Sequence, residues 1–285
     1  MRPAVSVITP FAGADAELDA LVRRLEALRA GPDDELLVAD NRPRPAPGRR
    51  GGVEVVAAAG LRSPAFARNA GARRVRGEWL VFVDADTTPR ADLLDAYFAP
   101  PPDDDVGILG GGIRDVVDRP TRVARYIVDR EKLDPRHALG HPHRPFFQTA
   151  NCAVRRSAFE QVGGFAESAR AAEDADLCWR LQDAGWRLEA RPEAAVEHRA
   201  RETLGALLRQ LAVHGAGVAW LNRRYPGSDP GPSLRQLAGR LSWYSRTAWS
   251  RARRGEREEA LFVLIDLLAL SAYDAGRLRS NDARR

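Results

Sequence analysis

The chain has 285 residues, 44% of them apolar and 29% charged, with a formal net charge of +5. That balance is ordinary for a soluble globular protein and long enough for one large α/β domain with an extension, or for two small domains. Two cysteines, Cys152 and Cys178, stand far apart with no C-x-x-C pair and no Cys/His array, which excludes a disulfide framework and makes a reducing cytoplasm the expected setting.

No basic segment followed by an apolar stretch precedes the first strand, so no signal peptide is expected. Ala4 to Thr9 reads as a short buried strand, ended by Pro10 and Gly13. From Asp15 to Leu28, the residues Leu18, Leu21, Val22, Leu25 and Leu28 follow the i, i+3, i+4, i+7 spacing of an amphipathic helix, stopped by Gly31-Pro32. Glu35 to Ala39 is a second strand running out at Asp40-Asn41. Arg42 to Gly52, rich in Pro, Arg and Gly, reads as a loop, and Val53 to Ala57 as a third strand. Ser63 as cap and Pro64 at the first position open a helix to about Arg76. The run Trp79-Leu80-Val81-Phe82-Val83 predicts a strand buried on both faces. This β-α-β-β-α-β order implies an α/β fold of the nucleotide-binding, Rossmann-like kind, with a mainly parallel sheet flanked by helices.

That last strand ends on Asp84-Ala85-Asp86. In an extended chain residues two apart point to one side, so both carboxylates would stand together past the carboxyl end of a central strand, where ligands bind in open α/β sheets. Two hard oxygen donors side by side suit a divalent cation that also grips phosphate, Mg²⁺ or Mn²⁺. The plainer alternative is a strand followed by an acidic turn.

Pro89 to Phe98 reads as a short helix, Pro100 to Asp105 as an acidic loop, and Val106 to Val117 as a strand. Gly110-Gly111-Gly112 inside it suggest close approach of a ligand or of another backbone, a bulge being the competing reading. Thr121 to Lys132 looks helical. Asp134 to Pro145, with His137, His141 and His143, reads as a loop near the site; His141 and His143 lack the further ligands that a metal centre needs. Phe146 to Val154 leads into a helix at Arg156 to Val162, closed by Gly163-Gly164. Ala172 to Leu181 is a helix with an acidic start, Glu173-Asp174, which the helix dipole favours and which would supply a base that Asp84 and Asp86 lack. Ala194 to Glu197 is a strand that delivers His198.

Taken in order, these segments resemble the family 2 inverting glycosyltransferases, which have the GT-A fold. Val5-Ser6-Val7-Ile8-Thr9-Pro10 is similar to the family's first strand, Ala67-Arg68-Asn69-Ala70-Gly71 to its helix beneath the donor, and Asp84-Ala85-Asp86 to its metal motif. Thr149 to Val154, with Phe159 and Gly163-Gly164-Phe165, is similar to the central donor/acceptor segment, and Glu173-Asp174 with Leu177, Arg180 and Leu181 to the catalytic-base helix. The resemblance covers roughly residues 4–200. It implies a nucleotide-sugar donor, with UDP favoured because the family sets an acidic residue, here Asp40, against the base. It further implies donor contacts from Thr9, Pro10, Phe11, Asp40, Arg68, Asp84, Ala85, Gly111 and Asn151. Mn²⁺ or Mg²⁺ would sit on Asp86 and Asp84, with His198 as a further metal or diphosphate ligand. Asp174 would be the general base, and Glu173 would orient sugar hydroxyls. For Arg68, the alternative to a donor contact is a buried salt bridge to a site carboxylate.

From Glu202 the motifs stop, which divides the chain into a catalytic domain, 1–201, and a helical C-terminal extension, 202–285. Leu204 to Leu221 is helical by spacing. Between Pro232 and Arg257 lie seven arginines, one acid and Trp243, Tyr244 and Trp249. Ala260 to Tyr273 is apolar apart from Asp266 and is too short to span a bilayer, which needs about 20 residues. It either covers the catalytic domain or, with the basic helix, lies on an anionic membrane, giving a peripheral protein at the inner face. The pI of about 9.7 is weak support for nucleic acid, because Lys132 is the only lysine and an arginine bias has compositional causes. No nucleic-acid partner is expected. The acceptor, whether glycan, lipid-linked or small-molecule natural product, is not specified by these residues. The rival readings are a sugar-phosphate nucleotidyltransferase, whose Gly-rich phosphate loop Thr9-Pro10-Phe11-Ala12-Gly13 does not match, and a nucleic-acid-binding protein using the arginine-rich tail.

Overall fold

The run from Trp79 to Val83 is a strand, β5 (Trp79–Val83), with every residue buried, and the sheet extends from it in both directions. The computed structural model describes residues 2–130 and 138–284. On one side of β5 lie β1 (Val5–Phe11), β2 (Glu35–Asp40) and β4 (Val53–Ala57), all parallel, with β3 (Gly48–Arg50) antiparallel at the edge. On the other side come β8 (Asn151–Arg155), β7 (Val106–Val116), β9 (Arg187–Arg199) and β6 (Thr87–Pro89). Of these only β7 and β9 run parallel to each other; β5–β8, β7–β8 and β6–β9 are antiparallel. The expected α/β sheet is present, its parallel pairing concentrated in the N-terminal half.

Two layers of helix cover the parallel half. α1 (Asp15–Glu26) turns Leu18, Leu21, Val22 and Leu25 into a core shared with Val5, Val7, Val38, Val81 and Trp79. α2 (Pro64–Ala72) packs against β1 and β2 on the opposite face. Its start is the one predicted: Ser63 Oγ accepts from Phe66 N–H at 3.0 Å and Pro64 follows the cap. Next to it Phe82, Phe159 and Phe165 form an aromatic triplet with centroids 5.1 to 5.7 Å apart, Phe159 coming from α5 (Arg156–Gln161). α3 (Leu93–Tyr97) and α6 (Glu173–Asp183) complete this part.

β5 and β6 are joined by only three residues, Asp84, Ala85 and Asp86, although three strands lie between them in the sheet order. Four strand spacings amount to ~19 Å in a flat sheet. The link reaches at most ~14 Å. The C-terminal half of the sheet therefore curls toward β5, and the acidic motif is the link that closes the curl.

The chain divides into two units. The first holds everything up to Val116, the stretch ending at Arg199, and the terminal residues from Asp282, where bridges join Ala169 to Asp282 and Arg62 to Arg284. The second comprises Val117–Arg130 and Ala200–Asn281, so α4 (Arg122–Asp129) belongs with α7 (Leu204–Arg224), α8 (Leu234–Arg253) and α9 (Arg257–Gly276) and not with the segment before residue 201. Its core is Ala124, Tyr126, Ile127, Ala200, Leu207, Phe262 and Ile265. Phe262 and Ile265 of the apolar run 260–273 thus belong to the core of this unit. Asp266, which interrupts that run, accepts from Tyr126 Oη at 2.8 Å and Arg130 Nε at 3.2 Å. α7 and α9 touch backbone to backbone: a Cβ on Gly215 would lie 1.9 Å from the Tyr273 carbonyl oxygen, and one on Gly276 2.1 Å from that of Ala212. Among the described residues no helix is long and apolar enough to cross a membrane.

Candidate active site

β5 brings the acidic motif to the carboxyl end of the parallel strands, but not in extended form. The Asp84 carbonyl accepts from Thr87 N–H at 3.1 Å and from the Thr87 hydroxyl at 2.7 Å, closing a tight turn. A turn does not keep the period-two alternation of an extended strand, and the two carboxylates have different partners. Asp84 Oδ1 accepts from Arg68 Nη2 at 2.6 Å, whereas Asp86 Oδ2 lies 3.5 Å from His198 Nε2. Among the described residues no three His, Cys, Asp or Glu side chains converge as a ready metal cage.

His198 stands on β9 with Asp115 as its register partner on β7, and its Nδ1 is 2.8 Å from Asp115 Oδ1. A carboxylate on Nδ1 fixes the ring and aims Nε2 at Asp86, the support that metal-binding imidazoles use. Asp86 and His198 therefore fit a divalent cation as two protein donors. Oxygens of a bound diphosphate would complete the shell, as Mg²⁺ and Mn²⁺ prefer. With no cation bound, burial opposes charge on His198, but the bonds to Asp115 and Asp86 outweigh it and raise its pKa to about 9. Asp115 had no signal in the sequence, because only the β7–β9 pairing brings it to His198.

Two arginines that sequence reasoning missed flank the turn. Arg24, on α1, donates to the Ala85 carbonyl at 2.6 Å, and its pKa is lowered first by burial and then by Arg199. Arg199 N–H donates to the Asp86 carbonyl at 3.1 Å. Guanidiniums that repel each other beside a turn make a local positive field that an anion would relieve. In a chain with 44 basic residues, nothing in the pattern singles these two out.

Arg68 is the centre of the arrangement. It is buried on α2, donating to Asp84 on one side and to Glu173 Oε1 at 2.8 Å on the other, with its guanidinium 5.6 Å from the Phe165 ring centroid. Burial disfavours its charge, and the two carboxylates more than restore it, raising its pKa above the ordinary value. Of the two roles open to it from sequence, the structure shows the salt bridge. Its neighbours in the motif explain the rest: Asn69 exchanges two hydrogen bonds with the Phe165 backbone, at 2.9 and 3.0 Å, and Gly71 lets α2 close on Ile8 and Leu37.

α6 opens at Glu173, immediately after Ala172, whose φ of 65° makes it the one non-glycine residue in the left-handed region among those described. L-residues pay roughly 1–2 kcal/mol there. That turn seats Glu173 inward on Arg68 and leaves Asp174 half-buried beside it. Burial first, and then Glu173, push the Asp174 pKa up to about 7, against the opposing pull of the Ala175 N–H and Arg68. Glu173 Oε1 is paired with Arg68. Arg180 anchors the helix, donating to Asp176 at 2.9 Å and to the Val162 and Gly164 carbonyls at 2.6 and 2.8 Å.

Other expected donor contacts are placed differently. Asn151 is buried, with Tyr97 Oη donating to its Oδ1 at 2.6 Å and its Nδ2 donating to the Gly112 and Ala194 carbonyls at 2.9 and 2.7 Å. A Cβ on Gly111 would meet that Nδ2 at 2.1 Å. Gly111 and Asn151 thus make a buried joint between β7, β8 and β9, and the close approach expected at these glycines includes another backbone, since the same Cβ would lie 2.4 Å from the Ala194 carbonyl oxygen. Asp40 is also buried, and four donors, Arg42 N, Nε and Nη2 and Ala46 N, fill its carboxylate. A nucleobase N–H would have to displace one of them. Phe11 points into the core with Arg42 over its ring at 5.4 Å, Pro10 is half-buried, and Thr9 is buried with no partner for its hydroxyl among the described residues. His141 and His143 pack on Trp179, with centroids 5.5 and 4.6 Å away, while His137 lies outside the described residues.

Residues 79–269 match the model of glycosyl transferase family group 2. Pre-mycofactocin glycosyltransferases of two Mycobacterium tuberculosis strains, CDC 1551 / Oshkosh and ATCC 25618 / H37Rv, are 32% identical over 231 residues, 78% of this chain and 48% of theirs. The chain thus spans about half the length of the curated relatives it matches. The fold is similar to that of the mannosyltransferase PcManGT from Pyrobaculum calidifontis, solved with GDP-Man and Mn²⁺, with a TM-score of 0.59 and 19% identity over 95% of this chain and 87% of that one. It is also similar to GalNAc-T7, solved with UDP, GalNAc and Mn²⁺, with a TM-score of 0.52 and 14% identity over 81% of this chain and 52% of that one.

Proposed function

Because the chain belongs to glycosyl transferase family group 2 and has the GT-A fold, we propose that it moves a sugar from a nucleotide-sugar donor, a UDP-sugar first among the candidates, to an acceptor hydroxyl with inversion at the anomeric carbon. The observation that carries the proposal is the Arg68 bridge, which ties the turn holding Asp84 and Asp86 to the helix start holding Asp174, whose pKa is about 7.

The donor's diphosphate would lie at the 84–87 turn, where Arg24 and Arg199 supply positive potential. A divalent cation held there by Asp86 and His198 would act as a Lewis acid for the leaving diphosphate. Asp174 takes the proton of the acceptor hydroxyl as that oxygen attacks from the face opposite the diphosphate. A carboxylate with a pKa near 7 is ionised often enough to accept the proton and basic enough to hold it. Single displacement needs this base and no carboxylate nucleophile, so the configuration inverts. Glu173 and Arg68 hold Asp174 and Asp84 in relation to each other without touching substrate. If Asp40 reads a uracil by displacing the Arg42 guanidinium, Arg42→Ala should strengthen UDP binding.

The test is titration of a nucleotide-sugar panel, with Mn²⁺ or with EDTA, into the wild type and Asp86→Ala. Metal-dependent binding and slow hydrolysis of one donor, lost in Asp86→Ala, is the expected result. Failure to bind any nucleotide or nucleotide sugar would overturn the reading.

A further inference from the structure

α8 is an amphipathic helix whose apolar side faces outward. Of its 20 residues only Ala248 is buried. Leu234, Leu241 and Trp249 are 85%, 58% and 62% exposed. With Ala238, Ser245 and Ala252 they fall at i, i+4, i+7, i+11, i+15 and i+18, one continuous stripe on a 3.6-residue helix. Helical geometry sets Arg235, Arg246 and Arg253 in a parallel row about 100° round from the stripe's first residue. The helix has no acidic residue along its length. Arg240 and Arg251 are paired with Asp274 and Glu256. In the outward row, Arg246 bonds among the described residues only within its own helix, to Ser242, and Arg253 stacks on Trp249 at 4.5 Å.

We infer that this face of α8 lies flat on an anionic lipid surface, with Leu234, Leu241 and Trp249 entering the headgroup boundary and the arginine row meeting lipid phosphates. Charge selects this occupant. A second copy would bring the same arginines against each other, whereas an anionic bilayer offers apolar depth under the stripe and negative charge beside it. Tryptophan and arginine in contact are suited to the headgroup level, where one part of the pair is apolar and the other wet. At ~1.5 Å per residue the helix would lie along about 30 Å of surface.

The experiment is co-sedimentation of the full chain with vesicles of phosphatidylcholine, with and without phosphatidylglycerol, read together with tryptophan emission. Three arginines near the surface predict binding to the anionic vesicles about a hundredfold tighter than to the neutral ones at low salt, weakening as salt rises. A blue shift of the emission is expected on binding. Leu241→Glu with Trp249→Glu should lower anionic-vesicle binding by more than tenfold, and so should Arg235→Gln with Arg246→Gln and Arg253→Gln, which keeps the apolar stripe and guards against misfolding of the first variant. Equal binding to neutral vesicles, no binding at low salt, or wild-type binding by both variants would overturn the inference. So would a lipid-free dimer that the stripe variant dissolves, which would make a second copy the occupant.

Discussion

Asp174, the proposed base, carries opposite consequences for stability and for the proposed catalysis. Its carboxyl, ordinarily near 3.8, titrates near 7 in the folded chain because burial and Glu173 disfavour its charge. The unfolded chain therefore ionises this group first, and folding loses stability as pH rises from about 4 to about 7, with no further loss from it above that. Asp174→Asn, whose amide oxygen can still accept from Ala175 N–H, is expected to melt higher than the wild type at pH 8 and to match it near pH 4, while transfer is abolished. Thermal denaturation at the two pH values and a turnover assay check both halves. In the wild type kcat/KM should climb through pH 7 as the base ionises. His198 has the opposite sign: its raised pKa stabilises the metal-free fold below about 6.5, and that contribution is lost as pH rises through about 9. A cation must displace that proton, so Mn²⁺ affinity should rise with pH up to about 9. Asp115→Asn removes the carboxylate that aims the ring and should weaken Mn²⁺ binding roughly 10–100-fold. Calorimetric titration giving an unchanged affinity would exclude Asp115 from that role.

At the scale of elements, two backbone positions connect the site to the fold. Gly111→Ala would drive a Cβ into Asn151 and the Ala194 carbonyl oxygen, 2.4 Å away, and should cost about 1–3 kcal/mol or more because backbone cannot yield as a side-chain end does. Ala172→Gly relieves the left-handed turn and should gain up to about 1 kcal/mol, at the risk of loosening the start of α6. Chemical denaturation of the two variants measures both. What the sequence made legible follows the same local rules. α1 was visible from the spacing of Leu18, Leu21, Val22 and Leu25, α2 from Ser63-Pro64, and β5 from its unbroken apolar run. β3 and β6 were not, since three residues carry no periodicity. β9 was recognised only over 194–197, because its exposed face carries Arg187, Glu193 and Glu197 and its pairing with β7 shifts register between Gly111 and Gly112. Asp84 and Asp86 were found as residues but not as geometry, because D-x-D reads alike in a strand and in a turn. Asp115, Arg24 and Arg199 owe their place to long-range pairing, which no local pattern contains.

The whole molecule is not cut where its motifs end. α4, residues 122–129, belongs to the second unit, and its Tyr126 and Ile127 are buried with Leu207, Phe262 and Ile265. A chain ending at residue 201 would expose those side chains and lose the terminal bridges at Arg62 and Ala169. Such a truncated chain is expected to aggregate and to bind donor poorly, whereas cleavage at Pro230–Gly231, in the exposed part of the connection between α7 and α8, should leave both pieces associated; size-exclusion chromatography distinguishes the outcomes.

The Arg68 bridge also sets a schedule. Glu173 is 105 residues downstream of Arg68, and His198 follows Asp115 by 83. At about 5–20 residues per second, a growing chain makes Arg68 and Asp84 some 5–20 s before Glu173 is made. For that interval the guanidinium has one carboxylate where the finished protein gives it two, and Asp86 waits longer still for the histidine it faces. The 84–87 turn and the start of α6 therefore become joined only late in synthesis, when the N-terminal strands have had time to pair.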